Sequence, residues 1–277
     1  MIVRLITPLT NSAGTLSVVS ADANNNVVIE NIVENVAGAT AQNNPDLYRQ
    51  LWNYVGATDN NGNYIVSFQN LYTNTYLSCL NGTNNGTQLV LDASATPQTS
   101  NWIIKKQNNM PNDDSGAPRS YSIHALNHNS QVIDLSGYNT TPGTIIQMYS
   151  WKGQPPYDNQ YNQFWFLEEP RIQVVTPYSS TTIQVGVNYS SEVIQVWDSE
   201  VGGNLLGSLG NDYGNNLTVY NHTFYVSSKK PQNGYLVNES ENQKNQTINL
   251  ENNSNVTVQF YYGDPRQGTS ISFTSGA

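Results

Sequence analysis

The side chains best suited to covalent chemistry are few in this sequence. Its 277 residues include three histidines, His124, His128 and His222, and one cysteine, Cys79. Cys79 stands in the run Leu-Ser-Cys-Leu, where a small buried side chain is expected rather than a reactive thiolate. The sequence contains no Gly-x-Ser-x-Gly elbow, phosphate-binding loop or His-Glu-x-x-His motif. We therefore expect no enzyme active site, no metal site and no cofactor.

A pair of carboxylates in the C-terminal part is the enzymatic alternative that the sequence leaves open. Acidic residues are spread along residues 171–277, among them Glu192, Asp198, Glu200, Asp212, Glu239 and Asp264. Two of them could hydrolyse a glycoside only if folding brought them to the required separation. Solvated turns are the simpler account, and we expect this part to be non-catalytic.

Composition excludes several classes of protein and partner. Only 11% of the residues are charged, which is too few for a charged coiled coil, and the net charge is −9. With 11 Lys and Arg residues and no basic run, the chain lacks the footprint of a protein that binds nucleic acid or an anionic membrane. No apolar run approaches the roughly 20 residues of a membrane span, and the opening residues lack a signal peptide's apolar stretch. We expect a cytoplasmic protein or one released by a non-classical route.

An aromatic-rich pattern occurs three times at a spacing of about 50 to 60 residues. The copies end at Trp52, Trp102 and Trp165, and within each copy short apolar runs are separated by Asn, Gly, Thr and Pro clusters. This punctuation is typical of strands and turns. A unit of about 50 residues cannot bury its own apolar face, so the three copies must share one core. The pattern predicts closed threefold pseudo-symmetry over residues 1–170.

A different pattern begins after Pro170 and continues to the end of the chain. Apolar and polar residues alternate there in six segments: 182–187, 193–197, 217–220, 223–226, 247–250 and 256–261. Such regularly spaced period-two strands predict a small antiparallel β-sandwich. The sequence therefore predicts an all-β protein with two domains, residues 1–170 and 171–277.

The threefold part resembles the ricin B-chain-like β-trefoil lectins, whose repeats each end in a Gln-x-Trp motif. The motif is present at Gln50 and Trp52 and again at Gln163 and Trp165, whereas the second copy has Ser100 before Trp102. The likeness covers about residues 1–170. It implies a β-trefoil with buried tryptophans and a domain that binds carbohydrate.

The third copy resembles the family's sugar-binding repeat beyond this motif. The resemblance places the sugar site at Asp134, Gly137, Gln147, Tyr149, Asn162 and Gln163, with Gly143 in the intervening turn. A carboxylate accepts hydrogen bonds from two neighbouring hydroxyls, an amide both donates and accepts, and a tyrosine face suits the C–H side of a galactose-type ring. We expect Asp134 to be an exposed pocket carboxylate, and galactose- or N-acetylgalactosamine-containing glycans to be the ligands.

The other two copies lack this combination. In the second copy Ser78 stands near the place of the aspartate and Asp92 near the place of the aromatic residue, and in the first copy Arg49 precedes Gln50. We therefore expect one working site and two degenerate ones. Trp151 and Tyr157 follow in a long aromatic loop, either as a second wall of the sugar pocket or as a cover for the open end of the barrel.

A single monosaccharide site of this kind predicts weak binding, in the millimolar to high-micromolar range. Useful avidity then requires several sites, which suggests that residues 171–277 hold the chains in a homodimer or larger oligomer. The aromatic residues of that part could form an interface, a ligand platform or a core, and core plus dimer contact is the favoured assignment: Trp197, Tyr213, Tyr225, Tyr261 and Tyr262. Two alternatives stay open, a glycan-targeted toxin with a membrane-active C-terminal domain and a binding module attached to a small glycan-active enzyme.

Overall fold

The architecture comes from a computed structural model that describes residues 2–58, 64–94, 96–107, 120–153, 161–168, 171–186, 193–210, 213–228, 247–251, 255–262 and 264–276. These residues divide into two compact units. Residues 34–40 and the described residues from 171 onward belong to the second unit, and the others belong to the first. The predicted boundary at Pro170 stays a prediction, because that residue lies outside the described ranges.

Six strands of the first unit close into a barrel. They are β1 (Ile2–Thr10), β4 (Trp52–Thr58), β5 (Tyr64–Asn70), β8 (Trp102–Gln107), β9 (Ser120–Ala125) and β12 (Trp165–Glu168). Each pairs antiparallel with the next in this order, and β12 returns to pair with β1. At this closure Arg4 lies opposite Glu168, and the two buried side chains form an ion pair at 3.5 Å. A closed barrel leaves no unpaired sheet edge.

Three hairpins complete the threefold arrangement. Their strands are β2 (Leu16–Ala21) with β3 (Val27–Asn31), β6 (Tyr76–Ser78) with β7 (Val90–Asp92), and β10 (His128–Leu135) with β11 (Ile146–Ser150). Isolated β-bridges join each hairpin to the next: Asn26 to Val90, Gln88 to Gln147, and Ile145 back to Val28. The ring of hairpins is therefore closed, and the predicted β-trefoil is confirmed.

The three tryptophans occupy one repeated position in the core. Each is fully buried and follows a short helix: α1 (Pro45–Arg49), α2 (Pro97–Ser100) or a 3-10 helix (Tyr161–Gln163). Each indole N–H donates a hydrogen bond to a hairpin carbonyl: Trp52 to Val19 at 3.2 Å, Trp102 to Leu77 at 3.3 Å and Trp165 to Ile133 at 3.1 Å. A buried indole needs such a partner. The repeated sequence motif thus produces a repeated bond.

The described residues of the second unit form two sheets. The first contains β13 (Ile172–Val175), β15 (Ile194–Trp197), β16 (Leu205–Leu209), β18 (Thr223–Ser228) and β19 (Ile248–Asn249). The second contains β14 (Ser180–Val185), β17 (Asn216–Val219), β20 (Asn255–Tyr262) and β21 (Asp264–Gly276). Phe224 of one sheet packs against Phe273 of the other, with ring centroids 6.3 Å apart. The predicted sandwich-like domain is therefore confirmed.

One strand pair of the second unit departs from the predicted antiparallel pattern. Strand β19 runs parallel to β13, with Val174 opposite Ile248. Neighbouring parallel strands need a long connection. Here the strands β14 to β18 lie between β13 and β19 in the chain. Alternation of polar and apolar residues does not reveal strand direction, so the sequence could not show this pairing.

The aromatic residues that the sequence assigned to the core or to a dimer contact differ in burial. Trp197 is buried, and its indole N–H donates to Ser227 Oγ at 3.0 Å. Tyr225 is half-buried, whereas Tyr213 is 52% exposed. The side chains of Tyr261 and Tyr262 lie outside the described residues.

Replacing Trp102 by Phe should lower the free energy of unfolding by about 2 to 4 kcal/mol. The change leaves a cavity in the shared core and removes the donor to the buried Leu77 carbonyl. Urea unfolding followed by circular dichroism measures the loss. The control is Tyr64→Phe, which removes only a hydroxyl from a 42% exposed residue and should change stability by less than about 0.5 kcal/mol. Equal stability of the two variants would contradict the assigned role of Trp102.

Candidate functional site

The tryptophan hydrogen bonds align the three repeats residue by residue. Val19, Leu77 and Ile133 supply equivalent carbonyls, so the residues that follow them are equivalent as well. These are Ser20, Ser78 and Asp134, and all three are buried. Only the third repeat has a carboxylate at this position, as the sequence predicted for Asp134 and Ser78.

Three amide side chains surround the Asp134 carboxylate. Gln147 Nε2 donates to Oδ1 at 2.9 Å, and both Asn162 Nδ2 and Gln163 Nε2 donate to Oδ2 at 2.9 Å. Four of the predicted site residues therefore form one hydrogen-bonded cluster. Pairing of β10 with β11 places Gln147 directly opposite Asp134, and the 3-10 helix before Trp165 supplies Asn162 and Gln163.

The expectation that Asp134 is exposed is wrong. Asp134 is only 1% exposed, and the three amide side chains surround its carboxylate. This burial raises the pKa of Asp134, against the opposing effects of the amide hydrogen bonds and of the Lys152 charge. A carboxylate offers about four acceptor positions, of which the amides use three. One acceptor position is left for a further donor.

Asn162 and Gln163 also fix the chain around the cluster. Asn162 Nδ2 donates to the Leu135 carbonyl at 3.0 Å, and its buried Oδ1 has no hydrogen-bond partner among the described residues. Gln163 donates to the Ser150 carbonyl at 3.0 Å and accepts from the Lys152 backbone N–H at 3.1 Å. The glutamine of the Gln-x-Trp motif thus holds the end of β11 against the cluster.

Tyr149 is half-buried on β11, opposite Val132. The Lys152 ammonium lies 5.0 Å from its ring centroid and 4.9 Å from that of Tyr138, and it donates to the Tyr138 hydroxyl at 3.0 Å. Neither Tyr138 nor Lys152 is among the site residues predicted from the sequence. Gly137 (φ 62°) and Tyr138 (φ 59°) both have a left-handed backbone conformation. Glycine adopts this conformation without strain, so the turn that begins at Gly137 positions Tyr138. In the sequence, Gly137, three residues after Asp134, was the feature that could have indicated this turn and the position of Tyr138.

Trp151 packs against the barrel side of the third repeat. Its ring centroid lies 5.4 Å from that of His124 and 5.6 Å from that of Phe164. His124 is buried and bonded to Ser122 Oγ and the Asn129 carbonyl, and burial lowers its pKa to about 4. These contacts favour Trp151 as a cover, and its role as a wall of the sugar site stays a prediction. Tyr157 lies outside the described residues.

The first repeat keeps only the glutamine of the cluster, with Gln50 in the place of Gln163, and the second repeat has Ser100 there. Strand pairing puts Glu30 and Asp92 where the third repeat has Tyr149. In the first repeat Arg49 stands in the place of Asn162. Its guanidinium carbon lies 4.0 Å from the ring centroid of Tyr72. Neither repeat therefore combines a carboxylate acceptor with an aromatic face at these positions. Gly143 has a structural role between repeats, because its N–H donates to the Ile29 carbonyl at 2.9 Å.

Part of the first unit matches a known protein family. Residues 48–149 match the family of ricin-type beta-trefoil lectin domain-like proteins. The predicted resemblance to ricin-type lectin domains is confirmed over these residues. The match ends at Tyr149, so Asn162 and Gln163 lie beyond it. No curated protein matches the chain.

Several solved structures are similar at low identity. The C-half of an earthworm R-type lectin, in complex with GalNAc, has 12% identity and a TM-score of 0.36, with 60% of this chain and 96% of that chain covered. The Rhizoctonia solani agglutinin has 18% identity and a TM-score of 0.35, with 60% and 92% covered. A mosquitocidal holotoxin has 20% identity and a TM-score of 0.40, with 95% of this chain covered but only 27% of that chain. At these TM-scores the likenesses carry no argument about function.

Within the described ranges, no group of three or more His, Cys, Asp or Glu side chains could hold a metal ion. Within the same ranges, no helix has the length and apolar character needed to cross a membrane.

Replacing Asp134 by Ala should lower the free energy of unfolding by about 2 to 4 kcal/mol, since three buried amides lose their acceptor. Thermal and urea unfolding measure the change. The matched control is Ser78→Ala at the equivalent position, which removes a single hydrogen bond to the Thr99 carbonyl and should cost about 1 kcal/mol or less. Wild-type stability of the alanine variant would show that the cluster opens to solvent.

Proposed function

We propose that this protein is a lectin that binds terminal galactose- or N-acetylgalactosamine-type glycans through its third repeat. The observation that carries the proposal is the Asp134 cluster, in which Gln147, Asn162 and Gln163 converge on one carboxylate beside Tyr149. The match of residues 48–149 to a lectin-like family supports carbohydrate as the kind of ligand.

Each part of the cluster has a function in this proposal. The Asp134 carboxylate accepts hydrogen bonds from two adjacent sugar hydroxyls, one at its remaining acceptor position and one in exchange for an amide. Asn162 turns its buried Oδ1 or its Nδ2 to the sugar when that exchange occurs. Gln163 keeps the carboxylate in place through its bond to the Ser150 carbonyl.

The closed arrangement of the cluster favours modest affinity. A sugar hydroxyl has to replace a bond that Asp134 already makes, so the net gain per hydrogen bond is about 1 kcal/mol. Stacking on Tyr149 adds about 1 kcal/mol, against at least about 4 kcal/mol for lost freedom. The protein therefore depends on several sites in one assembly for useful avidity.

The second unit provides this assembly in the proposal. Tyr213 and Tyr220, which lie before and after β17, are 52% and 75% exposed. Exposed aromatic side chains are enriched at protein interfaces. We assign them to the contact between two copies of the chain, in place of Trp197, which is buried in the unit's own core.

The Asp134→Asn variant should lose measurable binding to galactosides. The amide retains the shape of the carboxylate but not its charge or its second acceptor oxygen, and the bonds it weakens correspond to a loss of about 10-fold or more. Titration of N-acetylgalactosamine and lactose, monitored by NMR, measures the affinity of the full chain. Ser78→Ala, the equivalent change in the second repeat, should bind as the wild type does. Binding that survives in Asp134→Asn, with folding intact by circular dichroism, would place the sugar site elsewhere.

The full chain should be a dimer or larger oligomer in solution, and it should agglutinate galactose-bearing cells. Light scattering after size exclusion measures the mass. The double change Tyr213→Ser and Tyr220→Ser should reduce the mass towards the monomer value of 30.6 kDa and abolish agglutination, while monosaccharide affinity is retained. A wild-type chain that is monomeric at micromolar concentration would refute self-association.

A further inference from the structure

We infer that Lys152 makes the third-repeat site selective for galactose-type glycans that carry an anionic substituent, either a sulfate ester or a carboxylate. The inference rests on the proposed function, because it concerns the ligand class of that same site. The observation behind it is a lysine ammonium held between the rings of Tyr138 and Tyr149.

The geometry places this cation at the aromatic side of the cluster. Its nitrogen lies 4.9 Å and 5.0 Å from the two ring centroids, within the range of cation–π attraction. The 3.0 Å bond to the Tyr138 hydroxyl fixes its position further. The Lys152 backbone N–H is bonded to Gln163 Oε1, so the same residue that supports Asp134 also positions this lysine.

The charge of Lys152 is not neutralised by an ion pair with any described residue. Arg4 with Glu168 is the ion pair found within the described ranges. The positive charge of Lys152 acts to lower the pKa of Asp134. The two carboxylate oxygens of Asp134 are nevertheless hydrogen-bonded to amides and not to the ammonium. A lysine has three N–H donors, and the Tyr138 hydroxyl takes one. Donors and charge therefore remain available to a ligand.

A neutral and an anionic sugar meet this cation differently. A neutral ring that stacks on Tyr149 competes with the ammonium for the aromatic face and has to displace it at some cost. An anionic substituent gives the displaced ammonium a partner and adds a charge-assisted hydrogen bond. The protein as a whole has a net charge of −9, so the local cation rather than the overall field attracts the anion.

The test compares lactose, 3′-sulfolactose and 3′-sialyllactose as probes of the full-length chain. Isothermal titration at low salt should show the anionic probes binding about 3- to 10-fold more tightly than lactose. The preference should diminish as salt is added, because the pair is partly exposed. Preference for the sulfated probe alone identifies a sulfate ester, and preference for the sialylated probe alone identifies a carboxylate. Both outcomes support the inference.

The variants make the assignment specific. Lys152→Met should bring the ratio of anionic to neutral affinity close to one. Lys105→Met is the matched control, since the Lys105 ammonium on β8 is bonded to Asn129 Oδ1 on β10, and it should keep the wild-type ratio. Equal binding of all three probes by the wild type, or a preference that survives in Lys152→Met, overturns the inference and leaves the galactose proposal intact. Absence of binding to every probe overturns the proposed function, and this inference with it.

Discussion

The shared core of the first unit is the constraint on which the other features depend. A repeat of about 50 residues cannot bury its own apolar face, so three repeats have to close around common tryptophans. Bridges that run from each hairpin to the next, and finally from Ile145 back to Val28, show that this closure is complete. Each indole N–H then fixes one hairpin relative to one barrel strand. The positions that follow these bonds are therefore held in the same place in all three repeats.

That repeated frame separates structural from functional residues. The tryptophans and their carbonyl partners are equivalent throughout, whereas the next position changes from Ser20 and Ser78 to Asp134. A buried carboxylate is costly unless it is hydrogen-bonded, and three amides supply such bonds only in the third repeat. The amide hydrogen bonds offset the desolvation of this polar cluster. The other two repeats form the same backbone frame without such a cluster, and this difference is the basis of our functional proposal.

The second unit is stabilised by a different kind of contact. The Arg171 guanidinium lies 3.8 Å from the ring centroid of Trp197, and it donates hydrogen bonds to the Ser199 and Gly202 carbonyls and to Asn35 Oδ1. Residues 34–40 become part of this unit through Asn35 and through a backbone bond from Gly38 to Gly203. Stacking and planar hydrogen bonding of this kind are properties of arginine that lysine does not share.

The sequence alone determined the fold class and the composition of the candidate cluster. Periodicity, turn residues and the threefold motif are local signals, and they predicted closed threefold symmetry and the second set of strands. The resemblance to the ricin B-chain-like lectins implied the trefoil and the difference between Asp134 and Ser78. Tertiary structure decided that Asp134 is buried, that Lys152 meets Tyr138 and that β19 runs parallel to β13. It also assigned residues 34–40 to the second unit. Burial, contact and strand direction depend on parts of the chain far apart in sequence, and no local pattern contains that information.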